Sequence, residues 1–79
     1  YLRITVQLEL DKDETQEHVE RRMVRLRDRF LTVLSSKPLD ELQTTEDKQR
    51  LRQELLATSQ DTISKRAILA VYFTEFLTQ

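Results

Sequence analysis

From Leu2 to Leu10 apolar and polar residues alternate without interruption, Leu2, Ile4, Val6, Leu8 and Leu10 against Arg3, Thr5, Gln7 and Glu9. A period of two sends successive side chains to opposite faces, so the pattern predicts a strand with one covered and one solvated face. Asp11-Lys12-Asp13-Glu14 ends it, and Asp13 with Gln16 three residues on gives the capping-box spacing that starts a helix. Val19, Met23, Leu26, Phe30, Val33 and Leu34 then recur at intervals of three and four. That spacing predicts a first helix running to about Leu34, its stripe facing the sheet. Lys37-Pro38 interrupts it, and residues 38–42 read as one short turn with proline at the first position. Thr44 caps a second helix with Asp47 at the third position. Leu51 and Leu55 form its buried line, which weakens after Ala57. Thr58, Ser59 and Asp61 are poor helix formers and predict an end between Asp61 and Lys65, with Lys65-Arg66 at the terminus where cations suit the helix dipole.

The last strand is predicted over Ile68–Thr78. Under strict alternation Val71, Phe73, Glu75 and Leu77 share one face, and Tyr72, Thr74, Phe76 and Thr78 the other. Either register leaves large apolar side chains outside, which predicts a strand covered twice and a partner or oligomer contact through Tyr72, Phe73 and Phe76. The order β, α, short turn, α, β makes an α+β fold. Its two strands are expected to be antiparallel, with both helices on the Leu2 face of a small sheet. Two strands alone are marginal, so a further strand is expected from upstream of Tyr1 or from a neighbouring molecule.

Length confines this to a single domain over residues 1–79. At that size a chain hides roughly 60% of the surface its unfolded form exposes, so the core is small. The thirteen basic and fourteen acidic residues, net charge −1, exert no global pull on nucleic acid or an anionic membrane. The chain has no cysteine, which excludes disulfides and thiol chemistry, and no glycine, which excludes phosphate-cradling loops. It begins on a strand at Tyr1 without an initiator methionine or an apolar leader and is expected to be a piece of a longer protein.

Arg21, Arg25 and Arg29, four apart, align with His18 and Arg22 opposite the apolar stripe. Glu17, Glu20 and Asp28 flank them, as on an ordinary solvated helix face. The functional alternatives for this ridge are docking to an acidic protein surface and, from a different class, nucleic-acid binding, although aromatic interleaving is missing. His18 with Glu14 one turn earlier supplies two potential metal ligands where three or four are needed, so no metal and no cofactor are expected. Ser35, Ser36 and Ser59 lack a second histidine, a glycine elbow and an ordered acid, and no catalytic residue is assigned. Asp40-Glu41 and Glu46-Asp47 are explained by helix starts.

Taken in order, Tyr1-Leu2-Arg3-Ile4-Thr5-Val6-Gln7-Leu8-Glu9-Leu10, Leu34-Ser35-Ser36-Lys37, Leu42-Gln43-Thr44, Leu51-Arg52-Gln53-Glu54-Leu55-Leu56 and Val71-Tyr72-Phe73-Thr74-Glu75-Phe76 resemble the periplasmic domain of the FliL family of flagellar basal-body-associated proteins. The resemblance covers nearly the whole chain. It implies a bacterial inner-membrane protein with a single N-terminal transmembrane helix outside this piece and this domain in the periplasm. It further implies a non-enzymatic role beside the flagellar stator proteins, supporting torque, motility, swarming and chemotaxis. The fold implied is similar to the stomatin-type scaffold domain, which forms rings through heterologous contacts, so a homo-oligomeric ring is implied too. Asp47, where the family commonly has glycine, and the arginine-rich first helix depart from the pattern. On this resemblance Tyr72, Phe73 and Phe76 are a fold signature first and a contact site second.

Overall fold

The computed structural model of the chain describes residues 2–14 and 16–78. Its elements are β1 (Leu2–Leu10), α1 (Gln16–Glu20), α2 (Met23–Ser35), a 3-10 turn (Leu39–Leu42), α3 (Thr45–Thr62) and β2 (Ile68–Thr78). The α+β class is as the sequence predicts. β1 and β2 pair antiparallel in a two-stranded sheet, α3 lies along β2, and α2 packs against α3. The strand start expected at Tyr1 and the closing Gln79 lie outside the described residues.

β1 alternates as its pattern requires, its odd-numbered residues exposed and Leu2, Ile4, Val6, Leu8 and Leu10 turned inward, yet these five are only half-buried. The turn after it is set by Asp11, not by Asp13. The Asp11 carboxylate accepts the N–H of Asp13 at 2.9 Å, and its carbonyl accepts the N–H of Glu14, also at 2.9 Å. Gln16 does not reach back as a capping-box partner; its amide donates to Glu20 Oε1 at 2.9 Å. The predicted first helix is broken in two. At Arg22, with φ −106° and ψ 1°, the backbone N–H bonds three residues back to Val19 O, at 3.0 Å. This tight turn separates α1 from α2 while keeping Val19 and Leu26 both in the core. Pro38 sits one position earlier than expected, as the extended residue before the 3-10 turn rather than its first member.

The start of α3 is the predicted capping box: Thr44 Oγ1 accepts the N–H of Asp47 at 3.0 Å, and Asp47 Oδ2 accepts the N–H of Thr44 at 3.1 Å. The helix's buried line does not fade after Ala57 but continues through Ser59 and Thr62. Ser59 is tolerated there because its hydroxyl donates to Leu55 O at 2.7 Å. Lys65-Arg66 do not end the helix. They lie in the following turn, where Ser64 Oγ accepts the Ala67 N–H.

The last strand spans Ile68–Thr78 as expected, but strict alternation along it does not hold, for a geometric reason. β2 has eleven residues against nine in β1, and the register skips once between Thr5 and Val6 and once between Glu9 and Leu10. The skipped residues, Thr74 and Leu69, are β-bulges, and each bulge resets which face the following side chains occupy. Ile68, Val71, Phe73 and Phe76 therefore stand opposite Leu10, Leu8, Val6 and Ile4 on the covered face. Phe73 and Phe76 meet edge to face with centroids 5.4 Å apart. Two apolar clusters make the core, one around Val19, Leu26, Ile63, Ala67 and Ile68, the other around Leu42, Leu51, Leu55 and Val71. Leu8, Phe30 and Leu56 join them.

Candidate functional site

The solvated face of the sheet carries a cross-strand polar network. Arg3 Nε lies 3.0 Å from Glu75 Oε1, Thr5 Oγ1 donates to the same oxygen at 3.2 Å, and Tyr72 Oη donates to Glu9 Oε1 at 2.5 Å. Donating to Glu9, whose negative charge also lies close by, pushes the Tyr72 phenol above its ordinary pKa of 10.0; the Arg52 charge opposes this. Around the network Leu69, Tyr72 and Leu77 are 49%, 43% and 48% exposed. Of the three contact residues predicted on the last strand, only Tyr72 faces outward; Phe73 and Phe76 are half-buried in the core, and Phe76 also receives Lys48 Nζ 4.8 Å from its ring centre. Leu69 and Leu77 replace them outside. The signal for this was present in the two-sidedness of the strand, since gathering four apolar residues on one face requires two skips.

The arginine ridge does not form one free strip. Arg21 pairs with Glu17 at 2.7 Å within α1 and its turn, whereas Arg29 reaches across to α3, 2.6 Å from Asp61 Oδ2 and 2.8 Å from Thr62 Oγ1. Arg29 thus ties two helices together, a tertiary role that spacing along one helix cannot reveal. Arg25 is exposed and lines an open depression with Arg21, Arg22, Val24 and Asp28. Arg21, Arg22 and Arg25 thus share one stretch of surface with Asp28 among them, while Arg29 is drawn toward α3. His18 contacts Glu14 at 3.6 Å and Arg22 at 3.2 Å. Among the described residues no group of three or more potential ligands could hold a metal ion, and no helix is long and apolar enough to cross a membrane.

On the other side of the sheet a groove of about 390 Å³ opens between β1 and α2. Ile4, Val6 and Leu8 form one wall; Met23, Leu26, Phe30, Leu31 and Leu34 form the other. Leu31, off the predicted stripe, is 63% exposed at its rim. The groove exists because α3 covers β2 while α2 leans on α3, leaving the apolar side of β1 only partly covered. The molecule therefore offers two kinds of surface suited to binding: a polar sheet face studded with apolar groups, and an apolar cleft.

All 79 residues match the family model described as flagellar basal body-associated protein FliL. The chain is also 32% identical over its whole length to a curated relative, the flagellar protein FliL of Aquifex aeolicus strain VF5, and covers 49% of that protein. The chain spans about half the length of the curated relative it matches.

Proposed function

The chain belongs to the FliL family of flagellar basal body-associated proteins, and from that membership we propose that it works by binding, as the periplasmic domain of a membrane-anchored accessory to the flagellar stator. In this reading several copies gather around a stator unit, in a ring similar to those of stomatin-type scaffolds. Tight packing then favours the stator's active conformation and so supports torque and swarming. A partner can shift such an equilibrium only by contacting one state better than the other.

The observation that carries the proposal is the outer face of β2. Leu69, Tyr72 and Leu77 stand half-exposed around a preformed polar network. An apolar group set among ordered hydrogen-bonding groups is the composition of a protein-docking patch, and the network fixes its shape before a partner arrives. Arg25, exposed and outside the cross-helix tie, is the remaining ridge residue suited to an acidic partner surface.

The test is a set of outward substitutions, Leu69→Ser with Leu77→Ser, and separately Arg25→Glu, in the intact protein. Stator co-purification and swarm diameter are expected to fall while circular dichroism of the domain is unchanged. Undiminished co-purification and swarming in both variants would remove the β2 face and Arg25 from the mechanism.

A further inference from the structure

The net charge of −1 conceals a segregation along the fold. Residues 21–29 hold five arginines and one aspartate, so this stretch is +4 and the remainder of the chain −5. Part of the positive charge is met locally, Arg21 by Glu17 and Arg29 by Asp61. Arg25 and Arg27 are exposed, and among the described residues neither forms an ion pair. The same helix carries the two most exposed large apolar side chains among the described residues, Val24 at 83% and Leu31 at 63%. Seven positions apart, they stand about 20° from each other around the α2 axis and about 10 Å along it. They lie on the side away from the buried Leu26. At the same helical pitch Arg27 flanks this apolar line on one side, and Arg25, Asp28 and Thr32 flank it on the other.

We infer that this outward face of α2 lies on the surface of an anionic phospholipid bilayer. An acidic protein surface would satisfy the arginines but set Val24 and Leu31 against charge. An apolar protein surface would take the valine and leucine but strand two guanidinium groups without a carboxylate, at a heavy desolvation cost. A bilayer offers phosphate oxygens and acyl chains in adjacent layers. Arginine stems run along that boundary with their heads among the phosphates while the apolar side chains enter between them. The segregated charge orients the approach, since the α2 face is drawn to a negative surface and the acidic remainder is repelled. Two apolar and two unpaired cationic side chains hold a bilayer weakly by themselves, and a tether in the same membrane raises their effective concentration. Such docking rests on the membrane-anchored protein proposed above and adds an orientation to it. The helix layer faces the lipid, and the solvated sheet face with Leu69, Tyr72 and Leu77 is turned away from it.

The domain has no cysteine of its own. The intact protein with a single cysteine here is labelled with an environment-sensitive fluorophore. It is reconstituted into vesicles of phosphatidylcholine, with or without phosphatidylglycerol, containing spin-labelled lipid as quencher. Ser35→Cys puts the probe on the same stripe one turn beyond Leu31 and leaves the patch intact; Gln53→Cys puts a control on the side of α3 near Tyr72. With phosphatidylglycerol at low salt, the probe at position 35 is expected to be quenched several-fold more than the control. The excess should vanish without phosphatidylglycerol or in about 1 M salt. Arg27→Glu is expected to lower the bound-to-free ratio about ten-fold, Val24→Ser with Leu31→Ser to do likewise, and Asp28→Asn to raise it several-fold. Arg25, already assigned to a partner surface, is left unchanged so that stator co-purification and lipid contact are read separately. Protein that washes off the vesicles in alkaline carbonate would remove the anchor and this docking together. Anchored protein whose probe is quenched no more than the control, or equally in all variants, would overturn the docking alone. A probe shielded from water in phosphatidylcholine alone would give the face to the remainder of the chain, and one shielded only beside stator proteins would give it to a protein partner. Each of these would overturn the docking too.

Discussion

Tyr72 is where one residue's chemistry most directly links fold to candidate site. Its hydroxyl bridges β2 to Glu9 on β1, and its ring is part of the exposed patch. A phenol whose folded pKa is raised contributes stability that is fully present below the ordinary value and lost as pH rises through the folded one. Stability should accordingly fall as the solution passes above pH 10, and Tyr72→Phe should flatten that decline relative to the parent in urea titrations at successive alkaline pH values. An equally steep decline in Tyr72→Phe would deny the bond a role. Residue-level features of this kind divide sharply in how readable they are from sequence. The Thr44–Asp47 box is legible because both partners lie within four residues. The Tyr72–Glu9 and Arg29–Asp61 pairs, 63 and 32 residues apart, depend on tertiary placement.

Among the elements, β1, α3 and the ends of β2 follow from periodicity and caps, whereas the bulges and the helix break do not. Leu69 and Thr74 are ordinary strand residues, and Arg21-Arg22 contains neither proline nor glycine. What creates the bulges is the demand that Ile68, Val71, Phe73 and Phe76 all face the helices while pairing with a strand two residues shorter. The apolar groups are the cause and the register is the result. Deleting Thr74 should test this: without the extra residue Phe73, Glu75, Phe76 and Leu77 alternate strictly against Val6, Thr5, Ile4 and Arg3, so the same side chains stay on the covered face. Little stability is then expected to be lost, whereas Phe76→Ala should cost about 2 kcal/mol by leaving its apolar burial unmade. Chemical denaturation would measure both. A deletion variant destabilised as much as Phe76→Ala would mean that the bulge itself, rather than the facing of the apolar groups, is what the fold requires.

The whole molecule has no glycine, and no described residue has positive φ. Its corners are held instead by side chains: Asp11 before α1, Thr44 and Asp47 before α3, Ser64 before β2. Asp47 is the most committed of these. The backbone N–H of Thr44 is the chief cause of its lowered pKa, and Gln43 and Arg50 lower it further. A carboxylate lowered in this way stabilises the fold above the ordinary carboxylate range, and the contribution disappears as pH falls through the folded value. Exchange protection at the first turn of α3, taken relative to the intrinsic amide rate at each pH, is therefore expected to fall on acidification while Leu51 and Leu55 stay protected, and Asp47→Asn should remove the pH dependence of the difference. Uniform loosening of corner and core together would contradict it. The corner before α3 is thus proton-addressable, an ionisable latch where other chains place a neutral pivot, and acid would loosen that entrance to the helix before it reached the interior.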